Sequence, residues 1–127
     1  MGNKIESFLE KTRKFSEFKK VIAVILYGSS IEKNRKPNDT DLCFVFEGNK
    51  KENIDFKMNL LKIAPDGFDI QMFSLLPAYL KIQILKGRIV DMRNQEKMYA
   101  LALETIKEFN DFKKSYLDYI SKKKVIV

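Results

Sequence analysis

The sequence predicts an α+β fold: a small mixed β-sheet covered by helices, with a long C-terminal helix. Three observations carry that expectation. Short apolar runs alternate with segments of helical spacing in the order α-β-α-β-α-β-α, which calls for a sheet with helices packed on it. The runs themselves, "VIAVILY" above all, are rich in β-branched residues, as a buried central strand is. From residue 98 onward, apolar residues recur at steps of four and three without a break. At 127 residues the chain is expected to form one domain, 1–127, with a single hydrophobic core.

Each element has its own signal. Residues 4–19 place Ile5, Phe8, Leu9, Phe15 and Phe18 at helical spacing, which predicts a first amphipathic helix. Val21–Tyr27 reads as the first strand. "GSSIEKN" then turns into a short helix that Ser29 or Ser30 would cap. "RKPND" is loop, because Pro37 lacks a backbone donor and fixes its own φ. Residues 41–47 form the second strand and "EGNKKEN" a turn, followed by a helix over "IDFKMNLLKIA" that "PDG" ends. "FDIQMFS" alternates as a third strand, "LPAYLKIQIL" is a short helix closed by Gly87, and "RIVDM" is a brief edge strand. The long helix spans 94–122. Its seam, Met98, Ala102, Thr105, Phe109, Phe112, Tyr116 and Tyr119, should pack on the sheet in its first half. The second half outruns so small a core, which makes it a candidate interface for a second copy or a partner protein.

Composition narrows the chemistry. A net charge of +7 favours anionic partners such as nucleotides, nucleic acid or an acidic protein. With no histidine and a single cysteine, Cys43, neither a histidine-ligated zinc site nor a thiolate cluster can form. A metal would be hard and oxygen-bound, meaning Mg²⁺ or Mn²⁺. The lone, strand-embedded cysteine fits a reducing compartment, and the N-terminus lacks a signal-peptide pattern. No apolar run approaches a membrane span. A cytoplasmic location with no membrane partner is therefore expected.

The most informative stretch is "VIAVILYGSSIEKNRKPNDTDLCFVF". Side chains alternate along a strand, so Asp39 and Asp41 point one way while Leu42, Phe44 and Phe46 point the other. Two neighbouring carboxylates repel unless a cation lies between them. Asp69, between Phe68 and Ile70, lies on the polar side of the third strand and would join the pair if the strands are neighbours. Three such carboxylates make a site for one or two Mg²⁺. Asp55, Asp66 and Asp91 are rivals, with simpler readings as a helix-start acid, a turn residue and a strand end. Gly28 lets the backbone come close to a ligand, and Ser29, Ser30 and the amides after them would face an anion. The first strand thus delivers a phosphate cradle and the second delivers metal ligands.

Gly28-Ser29, nine intervening residues, then Asp39-Thr40-Asp41 and an apolar strand resemble the signature of polymerase-β-type nucleotidyltransferases. In so short a chain they resemble the minimal nucleotidyltransferases in particular. The resemblance implies transfer of AMP from ATP to a hydroxyl with Mg²⁺ (or Mn²⁺). Gly28, Ser29 and Ser30 would hold the nucleotide. Asp39, Asp41 and Asp69 would be the catalytic, metal-binding set, with Asp69 also activating the attacking hydroxyl. Stand-alone members resembling this chain act as antitoxins that adenylylate a HEPN-type RNase toxin, which would make such a toxin the partner. Members often carry arginine where this chain has Glu32, with Lys33, Arg35 and Lys36 nearby. Two alternatives stay open: an antitoxin acting by direct binding without catalysis, and a small-molecule nucleotidyltransferase of the aminoglycoside-modifying kind. A homo-oligomer through the C-terminal helix, and nucleic acid as a partner, also remain open.

Overall fold

The computed structural model describes residues 2–28 and 40–125, with side chains described over 4–28 and 40–121. Its elements are α1 (Gly2–Thr12), β1 (Val21–Tyr27), β2 (Thr40–Phe46), α2 (Lys50–Ile63), β3 (Phe68–Met72), α3 (Ala78–Leu85), β4 (Arg88–Met92) and α4 (Gln95–Val125). The strands form one sheet in the order β3-β2-β1-β4. β1 pairs antiparallel with β2 and β4, whereas β2 and β3 run parallel. The mixed sheet and long terminal helix are as the sequence predicts.

Alternation along the strands sends apolar side chains to both faces, and helices cover each. Val24, Leu26, Leu42, Phe44, Ile70 and Met72 meet α1 and α2 through Phe8, Leu9, Phe56 and Leu60. Aromatic rings dominate this layer: Phe46 stacks on Phe56 at 4.6 Å, and Phe8 meets Phe44 edge-on at 6.3 Å. On the other face Ile22, Ala23, Ile25, Cys43 and Val45 pack with Phe73, Ile84 of α3 and Met98 of α4. The parallel β2–β3 pair requires a crossover, and α2 supplies it.

Several boundaries differ from the sequence reading. The first helix stops at Thr12, whose hydroxyl donates to the Leu9 carbonyl at 2.7 Å, a bond that competes with helix continuation. Phe18 reaches the core from a separate 3₁₀ turn, Ser16–Lys20, that leads directly into β1. The second helix begins earlier than expected, because "NKKE" is a capping box rather than a turn. Glu52 N–H donates to Asn49 Oδ1 and Asn49 N–H to Glu52 Oε1, each at 2.8 Å. Residues Phe73–Leu75, expected to extend the third strand, form a 3₁₀ turn. The long helix runs to Val125, beyond the expected 122. The short helix expected over "GSSIEKN" lies outside the described residues.

Candidate active site

β2 and β3 run side by side with Asp41 opposite Asp69, so their backbones lie about 4.8 Å apart, the spacing of neighbouring strands. Tyr27, the last residue of β1, is opposite Asp41 on its other side. The register therefore sets Tyr27, Asp41 and Asp69 in one row across three strands. This row closes the end of the sheet where β1 finishes and β2 and β3 begin. Asp41 shares its face with buried Cys43 and Val45, so one acid sits where the next two inward positions are core. Asp41 is half-buried and Asp69 exposed.

Gly28 shapes the space beside Asp41. Its φ of 66° lies in the left-handed region that other residues avoid. A Cβ there would stand 2.6 Å from Asp41 Oδ2. The absent side chain is what lets the carboxylate lie against the turn. Neither feature follows from the presence of glycine alone; both require this register.

The local electrostatics are acidic. The Tyr27 phenol is held well above its ordinary range, first by burial, then by the negative charge Cys43 would carry if ionised and by the Asp69 and Asp41 carboxylates. It stays protonated at neutral pH. Burial likewise pushes the Cys43 thiol up, so Cys43 is neutral and no nucleophile. Gln71, two residues along the same face from Asp69, donates to Asp69 Oδ1 at 3.4 Å and accepts from Lys57 Nζ at 3.4 Å. Beside the row opens a cleft of about 130 Å³, lined by Tyr27, Gln71, Leu76, Leu80, Gln83 and Ile84. A larger cleft, about 300 Å³, lies between α4 and the far end of β2, where Lys97 is bound to Glu47 at 2.6 Å. It is remote from the carboxylate row.

The rival acids have other roles. Asp55 lies inside α2, not at its start, and pairs with Lys51 at 3.3 Å. Asp91 is almost fully buried against Arg13 at 3.0 Å, tying the edge strand to the end of α1. Asp66 is exposed in the turn before β3. Asp69 alone among these acids stands beside Asp41. Asp39, Ser29 and Ser30 lie outside the described residues, as do Glu32, Lys33, Arg35 and Lys36. Among the described residues no group of three potential metal-ligating side chains converges. The donor set at hand, two carboxylates in register with a backbone turn pressed against one of them, fits a hard cation. Tyr27 and Gln71 went unremarked in the sequence. Tyr27 had a readable signal, as the aromatic end of a strand whose partner begins on an acid.

The family model for "Polymerase beta, Nucleotidyltransferase" matches residues 3–96. No curated protein matches the chain. Among solved structures, a toxin–antitoxin complex with AMP-PNP aligns at TM-score 0.67 and 17% identity, over 94% of this chain and 95% of that one. The toxin–antitoxin complex MntA–HepT aligns at 0.62 and 16%, over 94% and 93%. An MNT antitoxin, in complex with a tri-AMPylated HEPN toxin from Shewanella oneidensis, aligns at 0.60 and 15%, over 94% and 92%. At such identities these likenesses establish the fold. The family match spans most of the sequence, and the chain belongs to the polymerase-β nucleotidyltransferase family.

Proposed function

We propose that this chain transfers AMP from ATP, with Mg²⁺ or Mn²⁺, to a hydroxyl of a partner protein, and is the antitoxin of a HEPN-type RNase toxin. The observation that carries this reading is the Asp41–Asp69 pair, set in register on adjacent strands at the end of the sheet where Gly28 turns. Membership of the nucleotidyltransferase family supports nucleotidyl transfer. One structural neighbour holds AMP-PNP and another is bound to an AMPylated toxin, which supports AMP as the group moved and a toxin as its acceptor.

The residues would divide the work as follows. Asp41 and Asp69, with Asp39, would hold the cation, which supplies charge neutralisation and Lewis acidity when bound. Gly28, Ser29 and Ser30 would seat the triphosphate, since the glycine turn keeps side-chain bulk away from the phosphates. Asp69, the exposed member on the outer strand, takes the proton of the acceptor hydroxyl. That oxygen forms a bond to the α-phosphorus as the bond to the β-phosphate oxygen breaks, and pyrophosphate leaves. Gln71 orients the Asp69 carboxylate through its amide, and protonated Tyr27 forms a neutral wall. Catalysis is then mainly positioning and charge stabilisation.

The test is incubation with α-labelled ATP, Mg²⁺ and a HEPN-type RNase toxin as acceptor. Label should pass to that protein with wild type and fall at least about 100-fold with Asp41→Asn, the scale of losing one transition-state electrostatic contact. Equal labelling by both forms would refute the assignment.

A further inference from the structure

We infer that the distal half of α4 is the surface on which the chain docks its helical partner, an inference that rests on the toxin-pair reading above. The seam from Met98 to Tyr119 keeps one spacing over about 30 Å of helix. Its burial falls toward the C-terminal end, with Ala102 and Phe109 half-buried on the way. Met98 and Thr105 are 5% and 3% exposed, whereas Phe112, Tyr116 and Tyr119 are 53%, 54% and 55% exposed. The Phe112 and Tyr116 rings stack at 6.2 Å, which presents them as one slab. A 4-3 spacing is what one helix offers another, so the matching surface is a helix face or a groove between helices. Tyrosine and phenylalanine are also the residues enriched at the centres of protein interfaces.

Two further observations select the occupant. The family match ends at residue 96, where α4 has barely begun. The likeness to the toxin-bound neighbours covers 94% of the chain and so takes in most of α4. The helix is thus shared with proteins solved in toxin complexes and lies outside the part that defines the catalytic family. Size argues in the same direction. A phenylalanine or tyrosine buries about 150–250 Å² when fully covered, so three half-exposed rings offer roughly 250–400 Å². That is at most about half of what each side of a standard interface buries. A pair of identical copies meeting only here would fall short. A partner that must also bring a hydroxyl to Asp41 and Asp69 contacts the chain elsewhere too.

The experiment titrates the chain with a HEPN-type RNase toxin. It compares wild type, Phe112→Asp/Tyr116→Asp, and Lys114→Ala on the side of α4 away from the seam. Mg²⁺-dependent ATP binding, helical content and the mass of the chain alone are measured on the same samples. The double variant should bind the partner at least about 100-fold more weakly, and Lys114→Ala within threefold of wild type. Phe112→Ser/Tyr116→Ser should repeat the loss if the aspartates disturb the helix. Partner binding within threefold for both double variants would overturn the proposal, as would no binding by wild type. A dimer of the chain alone that the double variant makes monomeric would also overturn it, assigning the surface to a second copy. Loss of docking with no ATP binding in any form would leave the proposal standing and sink the catalytic reading. Transfer that depends on Asp41 with docking untouched by the variants would do the reverse.

Discussion

At the end of the sheet, Asp41 and Asp69 stand in register on adjacent strands, Asp41 on a face whose next residues along β2 are core. Along distal α4, Phe112, Tyr116, Leu117 and Tyr119 occupy positions half open to solvent. The first region puts like charges together where apolar contact would stabilise more. The second puts apolar surface in water where charge would solubilise better. Folding alone explains neither, and departures of this kind concentrate where a sequence serves something besides stability. The difference lies in how each is built. The acids are fixed by strand register and a glycine turn, as positioning of a reactive group requires. The aromatics are carried on one helix extending past the core, which suits a broad contact.

The comparison breaks most directly at Asp41. Asp41→Asn should cost at least about 100-fold in AMP transfer, near 2.7 kcal/mol. Its melting temperature should stay within a few degrees of wild type, because asparagine is isosteric with aspartate. Partner affinity should not change. Parallel melts, titrations and label-transfer assays check all three, and a larger fall in melting temperature would make Asp41 structural.

The two halves of the α4 seam give the next contrast. Met98→Ala removes a buried side chain packed with Ile22 and Val45 and should cost about 2–4 kcal/mol in denaturant unfolding. Phe112→Ala, in the same seam, should stay within about 0.5 kcal/mol, as exposed substitutions do. Equal losses would mean distal α4 is held by the chain itself. Gly28→Ala comes next, because it touches both stability and site. The left-handed backbone should cost about 1–2 kcal/mol. Displacement of Asp41 by the new Cβ should weaken Mg²⁺-dependent ATP binding roughly tenfold, about 1.4 kcal/mol, read by titration.

The strands, and the positions of Asp41 and Asp69 on them, were legible because their signals are local. "VIAVILY" can only be buried, and alternation alone sets Asp69 on the polar side of β3. That Asp69 would stand beside Asp41 needed the strand order, which no local pattern contains. The first helix was drawn too long because Phe15 and Phe18 continue its spacing, although they reach the same core from a turn. Asp55 was taken for a helix-start acid because the true cap, Asn49 with Glu52, sits in a run of lysines that reads as a loop. The cleft formed by Tyr27, Gln71 and α3 joins three distant segments and left no trace in the sequence.

The smallest effect belongs to neither region and calibrates both. Glu52 closes the α2 capping box and pairs with Lys20 at 2.6 Å, and these bonds hold its carboxyl below the ordinary glutamate value, Lys20 contributing most. A folded-state value below the unfolded one stabilises the protein above the unfolded pKa, about 4.3, and that contribution is lost as pH falls through the folded value. Wild type should therefore melt above Glu52→Gln at pH 6, with the gap closing below about pH 4. The pair faces solvent, so 1 M salt should narrow the gap at pH 6 as well. A gap that persists at low pH would mean Glu52 acts by packing rather than by charge. The shifts at Asp41 and along α4 would then need judging against a protein whose surface contacts matter more than their exposure implies.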